Sequence, residues 1–175
     1  MKKFLILVFC IIIANMAFSQ NQESKLKKLP SVIIKDIDGK SINTAELSNN
    51  GKPMIVSFWA LWCKPCQKEL STIAEVYEEW QKETGVKLIA VSIDDARSTA
   101  RVKPTANGNN WDYEILLDVN SDFKRAMNVN QIPHTFILNG KGEIVWQHTS
   151  FSEGSELKLI EIIRKLNKGE DISGH

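Results

Sequence analysis

Cys63 and Cys66, within Trp59-Ala60-Leu61-Trp62-Cys63-Lys64-Pro65-Cys66, are the residues of this 175-residue chain whose type and spacing point most directly to chemistry. They lie where an apolar run ends and an amphipathic pattern begins, so Cys63 falls at a helix N-terminus. Unpaired backbone N–H groups and the positive end of the helix dipole favour a thiolate there. Cys63 is therefore the expected nucleophile, and the adjacent Lys64 lowers the thiolate's cost further. Pro65 needs no backbone donor in the first helical turn. It places Cys66 inside the helix, behind Cys63, as a resolving thiol should lie.

The same spacing opens many zinc sites, which need two further ligands. The remaining cysteine, Cys10, sits in a segment expected to be removed, and His134, His148 and His175 are scattered rather than set at ligand spacing. A redox pair with neither metal nor cofactor is the better reading. A purely structural staple is disfavoured because closing so short a loop constrains the unfolded chain very little. Glu69 is a second candidate, since Cys66, Glu69, Leu70 and Ile73 share one helical face. Desolvated there, its carboxyl would have a raised pKa and could exchange a proton with Cys66; on the solvated face it would be an ordinary helix former. Trp59 is expected in the core. Trp62, outside the strand and directly before Cys63, is expected on an exposed apolar surface that docks a protein thiol or disulfide.

These residues need an exported setting and a scaffold. Met1-Lys2-Lys3, the apolar run from Phe4 to Ala14, and Ala17 and Ser19 before Gln20 read as a signal peptide over 1–19. Cleavage after Ser19 would make the protein periplasmic. An uncleaved leader would be the one route to a membrane, although its apolar run is shorter than the roughly 18 residues of a spanning helix. The expected domain, 20–175, is an ordinary single-domain length. Formal net charge is +1, or −1 without Lys2 and Lys3, so nothing argues for nucleic acid.

Along the chain, Val32 to Ile34 and Ser41 to Asn43 predict a hairpin with Asp38-Gly39 at its turn. Thr44 is expected to cap a short helix through Leu47. Met54 to Trp59 reads as a central strand, 64–84 as an amphipathic helix stopped by Gly85, and Lys87 to Ile93 as a second buried strand. Ser98 to Lys103 is expected to be a short helix ended by Pro104, with a loop at Asn107 to Asn110. A strand at Glu114 to Leu117, a helix at Asp122 to Met127, a hairpin of His134 to Leu138 with Glu143 to Thr149, and a closing helix at Glu156 to Leu166 follow. The order implies an α/β mixed sheet with helices on both faces.

Val56-Ser57-Phe58-Trp59-Ala60-Leu61-Trp62-Cys63-Lys64-Pro65-Cys66 resembles the strand and active-site turn of the thioredoxin superfamily. Gln131-Ile132-Pro133-His134-Thr135-Phe136-Ile137-Leu138 resembles its cis-proline segment, and the leading hairpin resembles the extension of the exported TlpA/ResA-like thiol-disulfide oxidoreductases. The resemblance implies a thioredoxin fold with an N-terminal β-hairpin, a cis Pro133 beside the sulfurs, and a backbone at Ile132 that pairs with a bound substrate strand. With the readings above, Pro65, Trp62, Ile132 and Pro133 are the substrate-binding candidates and Cys63, Cys66 and Glu69 the catalytic ones. Glu69 matches a glutamate of the ResA-like proteins, and it would stand in for the buried aspartate that cytoplasmic thioredoxins have where this chain has Ser57. Ser71 replaces a usual kinking proline, so a straighter helix is expected. His134 would stabilise the thiolate if charged and close, or be a strand-end histidine without that role.

The implied partners are protein disulfides, apocytochrome c among them, and an upstream membrane thiol reductase that restores the dithiol in envelope redox homeostasis. A disulfide-forming oxidant shares the motif. A copper-handling binder would need His134 or another soft ligand beside the pair. A peroxidase of this fold should carry Thr where Ala60 stands.

Overall fold

Residues 26–172 are described by a computed structural model; the leader expected at 1–19 lies outside them. β1 (Ile33–Asp36) and β2 (Ser41–Asn43) form the leading antiparallel hairpin, with Ile34 opposite Ile42. Its turn is held by the Asp36 carboxylate, which accepts from the N–H groups of Asp38 and Lys40 at 2.9 Å each. The helix expected to be capped by Thr44 is instead one 3₁₀ turn, Thr44–Glu46, capped by Asn43, whose Oδ1 accepts from Ala45 N at 3.1 Å. The Thr44 hydroxyl is engaged elsewhere, donating to the Pro30 carbonyl and accepting from Val32 N–H.

β3 (Met54–Trp59) is buried at every position, and the chain turns from it into α1 (Lys64–Thr84), closed by Gly85 at φ +69°. β4 (Lys87–Ser92) follows. Pro104 does not end the next helix. A 3₁₀ turn at Thr99–Arg101 leads into α2 (Val102–Gly108), which carries Pro104 in its first turn, where the missing N–H would have no intrahelical acceptor. β5 (Glu114–Leu117) precedes α3 (Asp122–Ala126), whose first N–H groups, on Phe123 and Lys124, donate to the buried Asp118 carboxylate. β6 (His134–Leu138), β7 (Ile144–Thr149) and α4 (Ser155–Lys168) complete the chain.

The strands form one sheet in the order β2-β1-β5-β4-β3-β6-β7. β3–β4 and β4–β5 are parallel and the other pairs antiparallel, which makes the sheet mixed, as expected. Side chains alternate across it. Ile55, Leu88 and Ile137 face Leu70 and Ile73 of α1 and Ile160 and Ile163 of α4. Met54, Val56, Phe58, Ile89 and Phe136 pack on the opposite face with Phe123 of α3. The β6–β7 turn closes tightly on the loop before β3, where a Cβ on Gly140 would lie 2.1 Å from the Gly51 carbonyl oxygen.

Candidate active site

β3 lies between β4 and β6, so its last residues reach the sheet edge already braced on both sides. Ile93 N–H donates to Trp59 O at 2.9 Å, and Cys63 N–H donates to Ala60 O at 3.0 Å, which folds the motif into a turn. Asp94, 2% exposed, anchors that turn: one carboxylate oxygen accepts from Leu61 N–H and from the Ser92 hydroxyl, each at 2.9 Å. Gln67 closes it from the helix side by donating to Leu61 O.

Cys63 is the N-cap of α1, and its sulfur accepts from Cys66 N–H at 3.3 Å. Pro65 occupies the first turn, as the motif predicts. The sulfurs are joined in a disulfide, with Cys63 5% exposed and Cys66 fully buried. Attack from outside therefore reaches the Cys63 side. Trp62 is 68% exposed beside it, whereas Trp59 is buried edge-on against Trp111, 4.9 Å between ring centroids. The Ile132–Pro133 peptide is cis. In the β3–β6 register Phe58 faces His134, so Pro133 stands one step further along, level with the end of β3 from which the motif springs.

Glu69 is buried at 1% exposure on the α1 face that carries Cys66, not on the solvated face. Its Oε1 meets the Thr135 hydroxyl at 2.9 Å, and Thr135 Oγ1 also lies 2.9 Å from Ser57 Oγ. A hydroxyl carries a single proton. With Glu69 ionised, Thr135 donates to the carboxylate and Ser57 donates to Thr135; with Glu69 protonated, the chain can reverse toward Ser57. Burial pushes the Glu69 carboxyl from 4.5 up to about 7, partly opposed by the Thr135 hydrogen bond. A carboxyl so raised has the pKa that a group exchanging protons near neutral pH requires.

His134 lies on the other face of the sheet. Strand alternation sets it with Phe136, on which it stacks at 4.4 Å, and its Nε2 meets Gln147 Oε1 at 3.3 Å. Burial lowers its pKa, so the reading of a charged histidine that stabilises the thiolate is not met. Sequence reasoning passed over Thr135, Asp94 and the placement of His148. The predicted β6–β7 hairpin held the signal for His148, because pairing sets it opposite Thr135, but a bulge near Leu138 shifts a register counted from the turn.

Residues 26–147 match the AhpC/TSA family. The chain belongs to that family. It is 31% identical over 121 residues to the thiol-disulfide oxidoreductase ResA of Bacillus thuringiensis (strain Al Hakam), covering 69% of this chain and 67% of the relative. It is 32% identical over 124 residues to the sporulation thiol-disulfide oxidoreductase A of Bacillus subtilis, covering 70% and 73%. The solution structure of an uncharacterized thioredoxin-like protein from Porphyromonas gingivalis superposes with TM-score 0.73 at 56% identity, covering 84% of this chain and 94% of that one. The protein is a thiol-disulfide oxidoreductase of thioredoxin fold, and the ResA-like resemblance of its motif extends over most of the described domain.

Proposed function

We propose that this oxidoreductase works in the cell envelope as a reductant of protein disulfides. The observation that carries the reading is Cys63 at the N-cap of a 21-residue helix with Cys66 sealed behind it. The Cys63 thiolate attacks a substrate disulfide, forming a mixed disulfide and expelling one substrate thiolate. Cys66 then gives its proton to the Glu69 carboxylate and attacks the Cys63 sulfur. The second substrate thiolate leaves and the Cys63–Cys66 disulfide remains. An upstream membrane thiol reductase supplies the two electrons that reset it, and Cys66 recovers a proton by way of Glu69. Trp62, Pro65, Ile132 and the cis Pro133 form the docking surface. The apolar leader at 1–19, cut after Ser19, would deliver domain 20–175 to the periplasm. Apocytochrome c is the substrate suggested by the ResA-like resemblance.

Copper handling is disfavoured because His134, the soft ligand it would recruit, stacks on Phe136 on the sheet face opposite the cysteines' core. Substitution of each cysteine tests the assignment. Cys66→Ser should trap mixed disulfides through Cys63, visible on non-reducing gels, while Cys63→Ser should trap none; equal capture by both would overturn the order of attack.

A further inference from the structure

Glu69 takes up the Cys66 proton in one half-reaction and supplies one in the other, so between them its carboxyl comes to equilibrium with solvent, yet it is buried at 1% exposure behind a sealed cysteine. One side chain bridges that separation. His148, opposite Thr135 in the β6–β7 pairing, places Nε2 3.8 Å from Glu69 Oε1. Nε2 is buried without a hydrogen-bond partner among the described residues, as is Glu69 Oε2. The imidazole as a whole is 20% exposed at the open edge of the sheet, beside a surface hollow lined by Trp146, Ser150, Phe151 and Lys158. Its ring therefore runs from the buried carboxyl to the surface.

We propose that His148 is the proton relay between Glu69 and solvent, a positioning residue that acts through Glu69 and rests on the role given to Glu69 above. After Cys66 has passed its proton to Glu69, the carboxylic acid gives that proton to His148 Nε2 while Nδ1 releases its own to water; in the resetting half-reaction Nδ1 takes a proton from water and Nε2 returns one to the Glu69 carboxylate. The outward passage leaves the ring as its Nε2–H tautomer, and the inward passage of the resetting half-reaction restores the Nδ1–H tautomer. The 3.8 Å gap exceeds hydrogen-bond range, and a small side-chain rotation closes it.

The surroundings disfavour the charged form of both groups. Burial lowers His148, as would a protonated His134 on β6, and the Lys158 charge on α4 lowers it further. Burial raises Glu69, opposed in part by its hydrogen bond from Thr135, and the Glu69 charge in turn helps raise the neighbouring Tyr113. Neither form is trapped as an ion pair, which would hold the proton rather than pass it on.

The experiment follows reduction of a small peptide disulfide in weakly buffered solution. His148→Ala should slow turnover about ten-fold, a fraction of the usual general acid–base contribution, and added imidazole should restore it in proportion to its concentration. The reduction potential should stay at the wild-type value, because a relay changes rates and not the equilibrium. His148→Gln, which keeps a polar group of similar size, should show the same slowing without a change in folding. A wild-type rate for both variants, or slowing that imidazole does not relieve, overturns the relay. Glu69→Gln separates the two readings: a wild-type rate there overturns the role of Glu69 and the relay together, whereas a slow Glu69→Gln with a fast His148→Ala overturns the relay alone.

Discussion

Glu69 bears a cost that pH makes visible. Its carboxyl is raised from 4.5 to about 7 in the folded protein, so between those values the native state binds a proton that the unfolded chain has lost. Stability from this group is full below about pH 4.5 and is lost as pH rises through about 7, a change of about 3 kcal/mol. In the oxidised protein, where the cysteines do not titrate, the unfolding free energy of wild type relative to Glu69→Gln should fall by about that amount between pH 4.5 and pH 8. The lowered His134 and His148 give the opposite slope, and taking the difference between the two proteins removes them. Chemical denaturation at several pH values checks this. A pH-independent difference would mean that the carboxyl is not held protonated by burial.

The active-site turn depends on the end of β4 as much as on the helix that follows it. Asp94 ties Leu61 N–H and Ser92 to one carboxylate oxygen, so the end of β4 and the cysteine turn meet at a single side chain. Asp94→Ala leaves these donors without their acceptor and should destabilise the protein by about 1–3 kcal/mol. It should also slow disulfide reduction by loosening the cap on which Cys63 sits. Asp94→Asn keeps an oxygen acceptor for Leu61 N–H, and thermal unfolding should place it between Ala and wild type. An Asp94→Ala protein with unchanged unfolding and rate would show that the turn holds itself. At the same scale, Ser71, which stands where the resembled family has a kinking proline, accepts from Trp111 Nε1–H at 3.2 Å and so ties α1 to the segment before β5.

Redox direction belongs to the whole molecule, because the potential of the pair is the free-energy difference between the complete dithiol and disulfide proteins. Pro65 before Cys66, and a motif without histidine, resemble reducing members. The potential should lie nearer the roughly −270 mV of thioredoxin than the roughly −120 mV of the strongest oxidants. Equilibration with a glutathione or dithiothreitol couple measures it, and a value above about −170 mV would assign the protein as an oxidant. No helix among the described residues is long and apolar enough to cross a membrane.

Local physics made much of this protein legible from its residues alone. The place of Cys63 at a helix N-terminus follows from the end of an apolar run, the central strand from that run itself, α1 from its period and its glycine stop, and the sheet class from the order of elements. These signals depend on neighbours in the chain. Interactions across the chain were not legible. The sequence allowed Glu69 to be either solvated or sealed, because one helical face says nothing of what packs on it until β6 brings Thr135 and β7 brings His148 against it. It left His134 open for the same reason, since which face of the sheet a strand residue meets is set by pairing. Thr44 and Pro104 were misread where a local rule met a tertiary competitor or a helix boundary: the threonine hydroxyl is taken by Pro30 and Val32, and the proline sits in a first turn that tolerates it. Carboxyl burial, hydroxyl pairing and a histidine's reach each require two distant segments at one place, and only the folded sheet puts them there.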